Sequence, residues 1–191
     1  MSTTIGAAEP ARQPVNHDRY SDTFIAGILG ETRVIAMVGA SAVTNRPSYF
    51  AMKYLLSKGY KVIPVNPTLA GKEILGQKVY GTLDDVDGPV DIVDIFRNSD
   101  AALEVAREAI RLKDKLGIKV IWMQLGVRND TAAQEAEAAG IQVVMNRCPK
   151  IEYGRLSGEI GWSGVNAGTI SSRRPLLSGR GVQSHALAGK R

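Results

Sequence analysis

Five short, almost continuously apolar runs separated by amphipathic stretches limit what this chain can fold into: Arg33–Val38, Tyr60–Val65, Val90–Phe96, Ile118–Met123 and Ile141–Met145. A strand that is apolar on both faces belongs in a sheet covered on both sides, and strands separated by helices pair in parallel. The intervening periodicity predicts helices at Ser48–Lys58, at Asp100–Leu116 with Ala102, Val105, Ala106, Ala109, Ile110 and Leu112 turned inward, and at Thr131–Ala139. Gly59, Gly117 and Gly140 each stand one step before the next run, where a helix ends on a residue that tolerates positive φ. The expected class is therefore α/β, a doubly wound parallel sheet. Upstream, Asp18 or Ser21 can cap a helix that places Tyr20, Phe24, Ile25, Ile28 and Leu29 on one face and stops at Gly30, laid on the sheet as a lid.

The two ends have a different composition. Residues 1–16 are small, polar and proline-bearing, as in a mobile arm, and the alternation of runs stops after Tyr153. Residues 154–191 form an irregular C-terminal extension rich in glycine, serine and arginine, which leaves 17–153 as the domain body. The net charge of +5 belongs to the extension, which holds six basic residues and one acid, so the rest of the chain is balanced. Nucleic-acid binding through this tail is disfavoured, because it carries one aromatic, Trp162, and the body is neutral. No apolar run approaches the roughly 18 residues of a membrane span, and the first residues lack the apolar centre of a secretory signal, so a cytoplasmic protein with no membrane partner is expected. The single cysteine, Cys148, allows no internal disulfide, and the two histidines, His17 and His185, lie near opposite ends, which speaks against a Cys/His metal site.

Ligands of open parallel sheets bind beyond the carboxyl ends of the strands, where the strand order reverses, so chemistry is read in the loops that follow the runs. In the first, Gly39 permits a tight turn, Ser41 and Ser48 offer hydroxyls, and Pro47 suits a first helical turn. Free backbone N–H groups there, with Arg46 beside them, favour a phosphate. The second and third glycines of a G-x-G-x-x-G dinucleotide loop are absent, and the second run ends in Asn66-Pro67, with no carboxylate for a ribose diol. Lys72 supplies a cation instead, which suits a ligand with a phosphate on its adenosine ribose; NADP and coenzyme A both qualify. Phe96 and Arg97 can flank an adenine or a pantetheine arm, Gly126 lets backbone approach a ligand closely, and Trp122 is expected to fill the core. Asp84 and Asp85 are expected to cap a turn, and Asp91 and Asp94 to serve the ends of the third run rather than acid–base chemistry. Cys148 has two readings: a small buried residue beside Pro149, or a redox thiol near a coenzyme A sulfur, with Arg147 raising its thiolate fraction.

Taken in order, Val38-Gly39-Ala40-Ser41, Asn45-Arg46-Pro47-Ser48, Val62-Ile63-Pro64-Val65-Asn66-Pro67, Gly71-Lys72-Glu73, Asp94-Ile95-Phe96-Arg97, Trp122-Met123-Gln124-Leu125-Gly126 and Asn146-Arg147-Cys148-Pro149 resemble the stand-alone CoA-binding domain proteins of bacteria. These are small relatives of the CoA-binding domain of the succinyl-CoA synthetase α subunit. The resemblance covers about Arg33 to Tyr153 and implies a Rossmann-like five-stranded parallel sheet, with the strands numbered in chain order and arranged 3-2-1-4-5. It further implies that the loop from Gly39 through Ala40 and Ser41 to Ser48 holds the phosphates of coenzyme A. Lys72 would serve the ribose phosphate, and Gln124, Leu125 and Gly126 would line the pantetheine side. The C-terminal extension departs from the shorter members and takes no role from them.

Binding of coenzyme A or an acyl-CoA as a carrier, sensor or accessory module is the leading expectation, and the chain is not expected to be an enzyme. The synthetases use a phosphorylated histidine in a further domain that has no counterpart here. An NADP-linked oxidoreductase is disfavoured, because no Tyr-Lys pair or other hydride-transfer constellation is recognisable, and the basic-tail nucleic-acid binder is the third class. A homodimer through the first helix or the C-terminal extension is a further expectation.

Overall fold

The computed structural model describes residues 15–159. The expected arm up to residue 14, and the expected extension beyond Glu159 with Trp162 and His185, lie outside the described residues. The strands are β1 (Val34–Val38), β2 (Lys61–Val65), β3 (Glu73–Ile74), β4 (Gln77–Lys78), β5 (Ile92–Ile95), β6 (Val120–Met123) and β7 (Gln142–Val144). The helices are α1 (Asp22–Glu31), α2 (Pro47–Ser57), α3 (Ser99–Arg111), α4 (Lys113–Leu116), α5 (Asp130–Ala138) and α6 (Pro149–Leu156). Each of the five apolar runs supplies one strand of a parallel sheet, and the short β3–β4 hairpin stands apart from it.

The sheet order is β2-β1-β5-β6-β7, which is 2-1-3-4-5 in terms of the five runs and corrects the expected 3-2-1-4-5. The third run cannot lie outside β2, because the chain leaving the hairpin already covers that edge. Tyr80 bridges Val65 in parallel, its N–H donates to the Pro64 carbonyl at 2.9 Å, and its carbonyl accepts from the Asn66 N–H at 2.8 Å. The third run pairs with β1 instead, in the register Ile35–Ile92 to Val38–Ile95.

Side chains alternate between two cores, as expected of strands buried on both faces. One face packs Ile35, Met37, Ile92 and Trp122 against Ile25, Leu29, Met52, Leu55 and Tyr153 from α1, α2 and α6. The other packs Val93, Ile95, Ile121 and Val143 against Ala102, Ala106, Ala132 and Ala136, where small side chains let α3 and α5 approach closely. Each fully buried Leu or Ile contributes about 1.5–3 kcal/mol. Gly59, Gly117 and Gly140 take φ of +88°, +72° and +77°, as the helix ends require.

Three helical expectations change. The long third helix breaks at Leu112, and the break keeps both Leu112 and Leu116 in the core. The first helix is capped by Ser21, whose Oγ accepts from the Phe24 N–H at 3.1 Å, and continues past Gly30 until Thr32 returns its hydroxyl to the Ile28 carbonyl at 2.7 Å. Helix α6, absent from the periodicity, opens on Pro149 and runs across the expected boundary at Tyr153, which it buries completely. Among the described residues no helix is long and apolar enough to cross a membrane.

Candidate functional site

The order 2-1-3-4-5 places the reversal of direction between β1 and β5, and it is beyond the carboxyl ends of strands at such a point that open parallel sheets form a ligand crevice. Gly39 directly follows β1 there. Its N–H donates to the Val65 carbonyl at 2.9 Å and its φ is +89°. A methyl group there would overlap the Phe96 carbonyl oxygen and lie 3.1 Å from Cδ of Arg97, so glycine is needed both for the turn and for the close approach of two strand ends. The first loop is thereby brought against Phe96 and Arg97.

Past Gly39, Ala40 is buried, and Ser41 turns its Oγ back to accept from the Val43 N–H at 3.2 Å. Arg46 is extended and occupies the cap position of α2, yet no side chain caps this helix; Pro47 opens it and Ser48 is buried in its first turn. In the first turn of α2 Pro47 has no N–H and the Tyr49 and Phe50 N–H groups donate to the Arg46 carbonyl at 3.1 and 3.4 Å, which leaves the Ser48 N–H open among the described residues at a helix start free of acidic side chains, an electropositive end suited to an anion. Arg46, Lys72 and Arg97 are exposed and make no ion pair among the described residues. Arg107 and Arg128, by contrast, are held by Glu135 and Asp130.

Asn66 binds the first two loops together. Its Nδ2 donates to the Ala40 carbonyl at 2.8 Å, and its Oδ1 accepts from the Thr68 N–H at 2.9 Å and the Thr68 hydroxyl at 2.8 Å. Its carboxamide thereby holds the two loops together. Lys72 lies further out, between the Pro67–Leu69 turn and the hairpin, with its backbone tied to Leu69 and Val79.

The third part of the site is at the ends of β6 and β7. Gln124 is buried, Leu125 is exposed, and the Gly126 N–H donates to Oδ1 of Asn146 at 2.8 Å, which joins the two loops. Trp122 fills the core as expected, and its indole N–H donates to the Arg147 carbonyl at 2.8 Å. Tyr20 closes this side, accepting from the Met145 N–H at 2.8 Å while the Arg147 guanidinium lies 5.5 Å over its ring.

The surroundings of Asp94 overturn one expectation about acidity, and those of Cys148 favour its buried reading over the redox one. Asp94 does not serve a strand end. It lies within β5 with no exposed surface, and burial pushes its carboxyl up to about 7 against the opposing pull of the Gln124 hydrogen bond. The signal was one aspartate inside a run that must be covered on both faces. Cys148 is buried, not activated: burial pushes its thiol up, the nearby Asp94 charge adds to this, and the Ile151 and Lys150 amides only partly offset it. Arg147 gives no help, since its guanidinium is engaged by Tyr20 and by the Asn146 carbonyl at 2.8 Å. Asp84 and Asp85 behave as structural groups, Asp84 paired with Arg111 and Asp85 accepting from the Thr82 N–H at 2.9 Å.

Known proteins resemble this chain in sequence and fold. The uncharacterized protein YneT of Bacillus subtilis is 37% identical over 129 residues, which is 68% of this chain and 91% of that protein. A solved structure of a hypothetical protein from Pyrococcus horikoshii is 37% identical with a TM-score of 0.67, covering 76% of this chain and 98% of the other. An acetyl-coenzyme A synthetase from Ca. Korarchaeum cryptofilum, solved with phosphate and ADP, is 28% identical with a TM-score of 0.53, covering 62% of this chain and 26% of the enzyme. The family model for the CoA binding domain matches residues 33–154, from the start of β1 through the loops of the crevice into α6. With that match spanning all five strands of the sheet, the chain belongs to the CoA binding domain family.

Proposed function

We propose that this protein binds coenzyme A or an acyl-CoA across the crevice between β1 and β5, as a non-catalytic carrier, sensor or accessory module. The observation that carries the reading is the packing of Gly39 on Phe96 beside an uncapped α2, within a region matched throughout by the CoA binding domain. The open Ser48 N–H at the start of α2 and Arg46 receive the phosphates, Lys72 faces the phosphate on the ribose, and Gln124, Leu125 and Gly126 line the pantetheine arm. The likeness to part of an acetyl-coenzyme A synthetase supports the same ligand class.

Calorimetry with coenzyme A, dephospho-CoA, NADP and a short oligonucleotide tests this. Coenzyme A binds most tightly, and dephospho-CoA is weaker because it lacks the ribose phosphate. Lys72→Ala costs coenzyme A about 1–3 kcal/mol, the range of a charge-assisted hydrogen bond. Equal affinity for the two coenzyme forms removes Lys72 from its role. Preference for NADP or for the oligonucleotide removes the reading altogether.

A further inference from the structure

Asp94 is a buried carboxyl with an unusual set of neighbours. Met37 of β1 and Trp122 of β6 flank it in register, and α1 and α2, on the same face of the sheet, bury no charged side chain. From α6 the titratable neighbour is the Cys148 thiol, while Glu152, in the first turn of that helix, is held by Arg155 at 2.8 Å. Among the described residues the carboxyl meets one donor group, the NH2 of Gln124, at 2.8 Å from one oxygen and 3.1 Å from the other. Gln124 follows β6 at the carboxyl edge, two residues beyond the Trp122 that pairs with Asp94. Its NH2 therefore turns down into the sheet, and its carboxamide oxygen, which meets no donor among the described residues, turns away from it.

We propose that Asp94 is a positioning residue for ligand recognition: by taking the NH2 of Gln124 it presents the carboxamide oxygen to the crevice as an acceptor for an N–H or O–H of the pantetheine arm. This rests on the coenzyme A reading and assigns the polarity of one contact within it. An ionised carboxylate only accepts hydrogen bonds, so it permits one orientation of the carboxamide. A protonated one also offers an O–H, and the carboxamide can then turn its oxygen inward and show the ligand a donor where an acceptor is needed. Burial holds the Asp94 carboxyl at about 7, so the change of orientation falls within reach of ordinary buffers.

The experiment is calorimetry of coenzyme A at about pH 8 and about pH 5.5 with the full chain, its Asp94→Asn and Gln124→Met variants, and the double variant. Asparagine offers a donor and an acceptor at every pH, so it leaves the carboxamide unfixed. At the higher pH Asp94→Asn weakens binding about three- to tenfold, the loss expected for one hydrogen bond. At the lower pH its affinity converges on that of the unmodified chain; titration of the ligand's own phosphates is common to both and cancels in the ratio. In the Gln124→Met background Asp94→Asn has no further effect. Should Asp94→Asn fail to fold, Gln124→Met alone reads the same pH-dependent loss. An affinity ratio that stays constant with pH, or an Asp94 effect that persists without Gln124, overturns the positioning role. Absence of coenzyme A binding by the unmodified chain at both pH values overturns the functional reading itself.

Discussion

Asp91 and Asp94 lie three residues apart, yet one stands at the amino edge of the sheet and the other inside β5, and they meet opposite fates. At the amino edge Asp91 receives the Arg33 and Val34 N–H groups at 2.8 and 3.0 Å and the Lys119 ammonium at 2.8 Å. Partial burial pushes its carboxyl up, but the Lys119 ammonium and those two amides outweigh it and hold the group below the usual range. Asp94 has a single partner, and burial dominates. The amino edge is thus finished by its own hydrogen bonds, with every oxygen of Asp91 used to start β1 and to join it to the segment before β6. Toward the carboxyl edge, groups are left with capacity to spare among the described residues: a helix without a side-chain cap, basic side chains without an ion pair and a carboxamide with one free end.

The largest test of this contrast is Gly39→Ala. Left-handed backbone costs a non-glycine residue about 1–2 kcal/mol, and overpacking against Phe96 adds about 1–3 kcal/mol. A total loss of roughly 2–5 kcal/mol in urea denaturation is expected. A loss below about 1 kcal/mol would mean that the loop withdraws freely and that the close approach of β1 and β5 does not shape the crevice.

Next is Asp94→Asn. Because the folded carboxyl lies at about 7 and the ordinary value is 3.8, the unfolded chain ionises first, and the native state loses stability as pH rises from about 4 to about 7. The variant lacks this loss, so its stability relative to the unmodified chain improves by about 3 kcal/mol between about pH 5 and about pH 8. A pH-independent difference between the two denaturation curves would place an ionised carboxylate in the core at both pH values and erase the distinction from Asp91.

The smallest effect belongs to Asp91→Ala, which removes charge-assisted bonds from a partly exposed group and should cost about 1–3 kcal/mol near neutrality. The sign with pH is opposite to that of Asp94. A lowered carboxyl gives its stabilisation above the unfolded value and loses it on acidification through the folded one, so the variant and the unmodified chain converge in acid. Failure to converge would show that Asp91 acts through packing rather than through its charge.

Much of this architecture was legible in the residues themselves. Runs such as Ile118–Met123 and Ile141–Met145 are too short and too uniformly apolar for a half-exposed sheet, and the glycines before them end the helices for reasons local to the backbone. Gly39, Arg46 and Pro47 were legible for the same reason, since a turn and a helix start are made by neighbours in sequence. Helix α6 was not, because its eight residues bury Tyr153 and Leu156 only by packing on helices about a hundred or more residues earlier in the chain.

By itself, then, the sequence determined the five strands of the sheet, their parallel sense and the glycine turn leading from β1 into a proline-started helix, because each follows from local periodicity or local backbone geometry. Strand order was decided only in three dimensions: periodicity is the same whichever strand lies alongside, and it was Tyr80, covering the free edge of β2, that sent the third run to the other side of β1. The roles of Asn66, Asp94 and Cys148 were decided there too. A side chain's hydrogen bonds and acidity depend on what surrounds it in space, and Ala40, Gln124 and the first turn of α6 come to these residues from separate stretches of chain or only through the fold of their own.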